Sequence, residues 1–305
     1  MGQRMKYRRL GSTEMRVSVV GVGAWQFGGD WGKDFTQDEV DAMLRRAKEL
    51  GINLIDTSAC YGRDHLSERL IGGVLEGDSR EDWIIATKFG HLHGWTPAGV
   101  RRTLEESLEA LGTDYVDLYQ FHSGSDEDFD TPGLWEMLAE QVEAGKVRRL
   151  GDSIGWNGNT YQTGQAADKG FSAIQVVYNR LDRTPETEVL PLCEQQDLGV
   201  LARVPLASGF LSGKYEPGDT FPDNDVRSGR EREDIDAQIR EAQRIKAEEV
   251  PQGVEMAPWA LAWCLKHPAV TCVIPGCKSV EQVESNAGAA ELDIVSADHP
   301  QAWTD

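Results

Sequence analysis

The sequence predicts an α/β protein of the (β/α)8 TIM-barrel class, with an N-terminal β-hairpin and an inserted loop after the seventh strand. Three observations carry this. Short apolar runs alternate with amphipathic helical patterns along the chain. Each run stops at a polar residue or a glycine. The stops recur about every 25–34 residues until one longer gap, between Pro205 and Pro275. The 305 residues are read as one domain, 1–305, since barrels of this kind run to roughly 200–250 residues and beyond as single units.

The elements follow in order. Tyr7–Leu10 and Met15–Val17 are expected to pair as a hairpin closing the barrel bottom, with Gly11–Ser12 near the turn. Eight strands then lead to their stops. Val19–Val22 leads to Gly23, Asn53–Ile55 to Asp56, Trp83–Thr87 to Lys88, and Val116–Phe121 to His122. Val147–Leu150 leads to Gly151 and Ser153, Ile174–Tyr178 to Asn179, Val200–Val204 to Pro205, and Val270–Ile274 to Pro275. Continuous apolar runs suit parallel strands buried on both faces.

Helical signals lie between them. Thr36 and Glu39 form a capping box before Val40, Met43, Leu44 and Ala47, and Gly51 ends the pattern. Pro97 follows Thr96 in a first-turn position, with Val100, Leu104, Leu108 and Leu111 behind it and Gly112 as a stop. Pro132 opens a third repeat with Leu134, Met137, Leu138 and Val142, ending at Gly145. Ser279 and Gln282 open a last one with Val280 and Val283. The long gap holds a polar stretch, Glu216 to Glu233, and a helix-like run from Ile235 to Val250, read as an insertion over the barrel mouth.

A dinucleotide-binding sheet of the doubly wound type is the alternative to test. Val20-Gly21-Val22-Gly23 begins a GxGxxG pattern, but Gln26 occupies the third glycine position, and the motif fails.

Composition narrows the class. With 31 Lys+Arg against 51 Asp+Glu the net charge is −20, which argues against nucleic acid and anionic membrane as partners. No apolar run approaches the roughly 20 residues of a membrane span, and the start lacks a secretory signal pattern. A cytoplasmic protein is expected. Its acidic surface would suit a salt-rich cytoplasm, or simply an acidic bacterial protein. Cys60, Cys193, Cys264, Cys272 and Cys277 are scattered, without a CxxC, and read as reduced thiols.

Active sites of such barrels lie at the C-terminal strand ends. Asp56, Lys88 and His122 end the second, third and fourth strands, and Tyr61 follows Asp56 by five residues. Each alone has an ordinary reading: a helix cap, a solvated charge, a core histidine, a packing ring. Their shared rim points to a site. These residues resemble the catalytic tetrad of the aldo-keto reductase superfamily, in Asn53-Leu-Ile-Asp56-Thr-Ser-Ala-Cys-Tyr61-Gly, Ala86-Thr-Lys88 and Tyr119-Gln-Phe-His122. The likeness continues through Gly151-Asp152-Ser153, Gln175-Val-Val-Tyr178-Asn179, the run from Pro205 to Tyr215, and Ile274-Pro275-Gly276. The wording from Val204 to Tyr215 is closest to the bacterial branch related to potassium-channel β subunits.

The resemblance implies an NAD(P)H-dependent oxidoreductase reducing an aldehyde or ketone to an alcohol, a small-molecule carbonyl being the substrate. Tyr61 would be the general acid. A phenol has a reference pKa near 10, and a lysine ammonium beside it would lower that value. Lys88 would tune the phenol, Asp56 would hold Lys88 charged, and His122 would orient the carbonyl. Ser153 and Gln175 would grip the nicotinamide carboxamide. Leu206, Ser208 and Lys214 would follow the pyrophosphate, with Val204 beside them and Arg227 as a clamp in the inserted loop. Gly276, Lys278, Gln282, Ser285 and Asn286 would surround the adenosine end. Lys278 and Arg227 favour NADP, with NAD left open. Trp25 should wall the substrate pocket; Trp31, Trp95 and Trp156 lie in mouth loops, Trp31 being expected to pack on a neighbouring loop.

Three departures from the family pattern stand out. Ile154 follows Ser153 where relatives carry Asn. Arg203 stands where an aromatic usually stacks on the nicotinamide; a guanidinium plane also stacks, but its charge would bias binding toward the reduced cofactor. Ser285 replaces a common Glu.

Two other function classes are weighed. One is a nicotinamide-binding regulatory subunit of a channel or other partner, with slow chemistry. The other is a metal-dependent hydrolase or isomerase using His65, His91, His93 and His122, particularly the triplet His91-Leu92-His93, which no carboxylate accompanies at useful spacing; no metal is expected.

Overall fold

The structure, a computed structural model, describes residues 5–77 and 79–303. Strands β1 (Tyr7–Arg9) and β2 (Arg16–Ser18) pair antiparallel as the expected hairpin. Eight further strands run parallel in sequence order: β3 (Val22–Gly23), β4 (Leu54–Asp56), β5 (Ile84–Phe89), β6 (Val116–His122), β7 (Val147–Ser153), β8 (Phe171–Val177), β9 (Gly199–Arg203) and β10 (Cys272–Val273). The sheet closes on itself. Gly21 N donates to Val273 O at 2.8 Å, Val273 N to Val19 O at 3.0 Å, and Gly23 N to Pro275 O at 3.0 Å. The first and last strands are short because closure passes through these bridges outside regular pairing. All eight overlap the expected runs; β3 to β7 reach one to three residues past them toward the polar stops, while β8, β9 and β10 end one residue short.

The hairpin plugs the lower end. Gly11 makes the turn with φ +55°, and a Cβ there would meet Gly199 N and Ser172 O at 2.5 Å, so only glycine lets the turn press on β8 and β9. Leu10 and Val17 join Leu54, Ala86, Leu118, Ala173 and Leu201 inside the barrel. A larger core lies between the strands and their surrounding helices.

Local chemistry sets the helix ends. Helix α1 (Gln37–Glu49) starts on the Thr36–Glu39 capping box and buries Val40, Met43, Leu44 and Ala47. Helices α2 (Leu66–Leu75) and α3 (Pro97–Leu111) follow, Thr96 capping α3 through Gly99 N. After the short α4 (Asp126–Phe129), α5 (Leu134–Glu143) is opened by left-handed Gly133, one residue beyond the expected Pro132. Then come α6 (Thr160–Gly164) and α7 (Val189–Gln195).

The insertion after β9 contains an irregular loop and α8 (Arg232–Glu248), which buries Ile235, Ile239, Ala242 and Ile245 against Phe210 and Leu211. Helix α9 (Met256–Leu265) carried no amphipathic signal, because it is buried nearly all round. Helix α10 (Val280–Ala287) begins at Ser279, whose hydroxyl accepts from Gln282 N.

Candidate active site

The strand register gathers polar side chains at one rim. Lys88 faces Gln120 across β5–β6, His122 faces Ser153 across β6–β7, and Ser153 faces Gln175 across β7–β8. Above them opens a cavity of about 1050 Å³, reaching from Tyr61 and His122 across the barrel mouth to α10.

Lys88 lies beneath the floor and is fully buried. Its Nζ donates to Asp56 Oδ2 at 2.7 Å, to the Thr57 carbonyl at 2.7 Å and to Tyr61 Oη at 3.1 Å. All three ammonium protons are thus used. Burial disfavours the charge, but Asp56 and Tyr61 outweigh it and raise the pKa above the ordinary 10.5. Asp56 Oδ1 accepts from Gln175 Nε2 at 2.7 Å and Gln120 Nε2 at 3.2 Å. Asp56 and Tyr61 therefore converge on the Lys88 ammonium, with His122, the fourth expected group, on the adjoining wall. Its ring centroid is 5.9 Å from that of Tyr61.

The balance on Tyr61 differs from the sequence expectation. Lys88 does pull the phenol's pKa down, but burial is the larger influence and leaves it above 10. Burial, helped by Lys88, His91 and Arg203, pushes His122 well below 6.5, so its imidazole is neutral at pH 7. Its Nδ1 lies 3.2 Å from Ser58 Oγ and 3.8 Å from Cys60 Sγ. Trp25 stacks on Tyr61 with centroids 5.8 Å apart and planes 19° apart. A phenol, an ammonium and a neutral imidazole on one cavity wall can exchange a proton with, and hydrogen-bond, a ligand oxygen.

The rest of the cavity lining carries the remaining candidates. Trp25, Gln175, Arg203, Val204, Leu206, Ser208, Lys214, Arg227, Gly276, Lys278, Gln282, Ser285 and Asn286 all line the cavity. Ser153 does not. It is fully buried behind Gln175, with its hydroxyl 3.4 Å from Gln175 Oε1. Gln175 Nε2 is itself spent on Asp56 Oδ1 and, at 3.1 Å, Gln120 Oε1. The loop after β9 holds non-glycine residues in left-handed conformations: Val204 (φ 51°), Ala207 (φ 48°) and Ser208 (φ 57°). A β-branched residue there is a genuine outlier, and such strain gathers at ligand-binding segments. Lys214 makes no hydrogen bond or ion pair among the described residues and lies over the Tyr215 ring.

The inserted loop crosses the mouth. Arg227 grips Asp225 with two nitrogens at 2.8 and 2.6 Å, and donates to Ser208 O and Tyr215 Oη. Asp225 lies 4.0 Å from Lys278 Nζ, and Lys278 donates to the Trp31 carbonyl. Trp31 does contact the inserted loop, by a bridge to Asp225, and also lines the cavity beside Trp25. Trp95 instead packs on Phe121, and Trp156 is 67% exposed and away from the cavity. Gln120, Ser58 and Asp225 escaped the sequence reading. Each sits two residues from a residue that it recognised, so spacing was a usable signal.

Residues 19–302 match the model of the Aldo/keto reductase family. Over 297 residues the chain is 32% identical to the uncharacterized oxidoreductase YqkF of Bacillus subtilis (strain 168), covering 94% of this chain and 91% of that protein. It is 29% identical to the NADH-specific methylglyoxal reductase of Escherichia coli (strain K12), covering 96% of each. Among solved structures, an aldo-keto reductase of Bacillus halodurans in its holo form superimposes with a TM-score of 0.79 at 29% identity, over 98% of this chain and 95% of that one. The glycerol dehydrogenase of Gluconobacter oxydans gives 0.79 at 26% identity, over 98% of each.

Proposed function

The chain belongs to the aldo/keto reductase family, and on that premise we propose that it reduces the carbonyl of a small aldehyde or ketone to an alcohol, with Tyr61 giving the proton. The observation that carries this is the buried Lys88 ammonium, shared between Asp56 Oδ2 at 2.7 Å and Tyr61 Oη at 3.1 Å at the cavity floor.

The cavity suits a nicotinamide dinucleotide together with a small carbonyl compound. Its volume exceeds what one small ligand needs. Lys214 and Lys278 concentrate positive charge in it, although the protein carries −20 overall. A buried nitrogen of Arg203 lacks a partner there. Such a cofactor supplies the hydride, for which no side chain serves. Ser208, Lys214 and the Arg227–Asp225 loop would hold its phosphates, with Gln282, Ser285 and Asn286 at the adenosine end. The preference for NADP rests on Lys278 alone, because Asp225 neutralises Arg227.

The residues act as follows. Tyr61, with its pKa above 10, holds its proton at neutral pH and passes it to the carbonyl oxygen as negative charge develops. Lys88 stays charged and stabilises the phenolate left behind. With the Ser58 hydroxyl, 3.2 Å from His122 Nδ1, as donor, the neutral imidazole would carry its hydrogen on Nε2 and donate it to the same carbonyl oxygen. Trp25 covers the phenol and excludes water.

Replacing Tyr61 with Phe tests the assignment. We expect a loss of roughly 10²–10⁴ in kcat, followed at the near-ultraviolet band of NADPH and NADH with a panel of aldehydes, ketones and sugars, while cofactor affinity stays within about twofold. Wild-type turnover in that variant would refute it. Consumption of neither cofactor by the wild type would move the reading to a regulatory nicotinamide-binding subunit.

A further inference from the structure

The two sequence departures at the nicotinamide end meet in space. Arg203, at the end of β9, donates from Nη2 to the Ile154 carbonyl at 3.2 Å, just past β7. Its Nε is buried and has no hydrogen-bond partner. Among the described residues no carboxylate lies within 4 Å of its guanidinium. Arginine remains charged even where burial lowers its pKa, as it does here. A buried cation with an idle donor is disfavoured unless something supplies an acceptor.

The neighbouring donors are already committed. Both protons of the Gln175 amide go to Asp56 and Gln120, and Ser153 faces Gln175 outside the cavity lining. Ile154 brings no polar side chain. Of the polar side chains grouped at the ends of β7, β8 and β9, Arg203 alone keeps a free N–H while lining the cavity. Tyr61 and Asp56 act on its charge, and it acts on His122. The reaction centre is therefore within its field.

We propose that Arg203 is the positioning residue for the nicotinamide, its guanidinium donating to the carboxamide oxygen in place of the absent Asn side chain, and that its charge makes the pocket select the reduced cofactor over the oxidised one. The proposal rests on the nicotinamide reading of the cavity. The hydrogen bond serves both redox forms. The charge opposes only the oxidised ring, which is cationic. The protein is thereby biased toward carbonyl reduction through binding, independently of the proton chemistry at Tyr61.

The experiment is equilibrium binding of NADPH and NADP⁺, by calorimetry or quenching of tryptophan fluorescence, to the wild type and to Arg203→Met and Arg203→Lys. The wild type should bind NADPH the more tightly. Arg203→Met should weaken NADPH binding and shrink the oxidised-to-reduced Kd ratio by about tenfold, equivalent to about 1.4 kcal/mol. Arg203→Lys keeps the charge without the planar fork, so it should preserve the ratio while weakening both forms. The thionicotinamide analogue of NADP⁺, whose sulfur is a poor acceptor, should bind the wild type more weakly than NADP⁺ and the Met variant equally well. An unchanged ratio in Arg203→Met, with tight binding to the wild type, overturns the role of Arg203 and leaves the cofactor reading intact. No binding of either nucleotide to the wild type overturns both.

Discussion

Asp56→Asn removes one charge from the most buried ion pair in the site, and its consequences are computable. Lys88 is fully buried and Asp56 is 3% exposed, so no solvent replaces the lost carboxylate. Removing one partner of a buried pair is destabilising by about 3–5 kcal/mol. For 305 residues, an unfolding entropy of roughly 2.1 cal/mol/K per residue gives a Tm about 5–8 °C lower. The effect carries a pH signature. In the wild type the folded pKa of Lys88 lies above 10.5, so its stabilisation is complete below 10.5 and is lost only as pH climbs through the raised value. Without Asp56, burial becomes the dominant influence and the folded pKa falls below 10.5. The variant then carries a penalty at neutral pH that is relieved as pH rises and the buried amine sheds its proton. Thermal unfolding followed by circular dichroism from pH 6 to 10 reads this directly: the Tm gap between the two proteins should narrow as pH increases. A gap below 2 °C at pH 7, or one that is constant across the range, would show that the ammonium does not depend on Asp56.

Two further outcomes follow from the same geometry. The rate of carbonyl reduction should pass from pH 5.5 to 9 without an inflection near 6.5, because His122 stays neutral and the Tyr61 phenol keeps its proton, whereas alcohol oxidation should rise with pH as phenolate forms; steady-state rates in both directions check this, and a reduction rate falling around pH 7 contradicts it. Arg227→Met leaves Asp225, which is 1% exposed, without its bidentate partner, at about 3–5 kcal/mol, so the inserted loop should open, release cofactor faster in stopped-flow fluorescence and be cut sooner by protease, while unchanged release would deny the loop a holding role.

Most of the barrel was legible because most strands are buried, mainly apolar runs that stop at a rim residue, so a run such as Val116–Phe121 followed by His122 marks both a strand and its rim end. Helix α9 was not, since a helix buried all round has no periodic stripe. The site divides the same way. Residue types at strand ends were enough to gather Asp56, Tyr61, Lys88 and His122. What they do not encode is the sum of opposing influences. Lys88 lowers the phenol's pKa as its chemistry demands, yet desolvation exceeds it, and only the depth of the floor decides that. Gln175 and Ser153, on β8 and β7, were assigned to the nicotinamide carboxamide by the family resemblance. One turns its donors toward Asp56 and Gln120 and the other stands behind it, which depends on side-chain direction across three strands.

The direction taken by Gln175 gives Asp56 a second task. Its Oδ2 faces the ammonium of β5 and its Oδ1 the amide of β8, so one carboxylate joins the Lys88 and Tyr61 cluster to the strand beside β9 and Arg203. Each of its oxygens is satisfied by a donor from a different part of the rim. A shift of β8 relative to β4 would therefore strip Asp56 Oδ1 of the shorter of its two hydrogen bonds and leave it only the one from Gln120, at 3.2 Å. Asp56 thereby ties β4 to β5, β6 and β8 at the floor of the cavity. The same bond, with the one to Gln120, leaves the Gln175 amide no donor for a ligand.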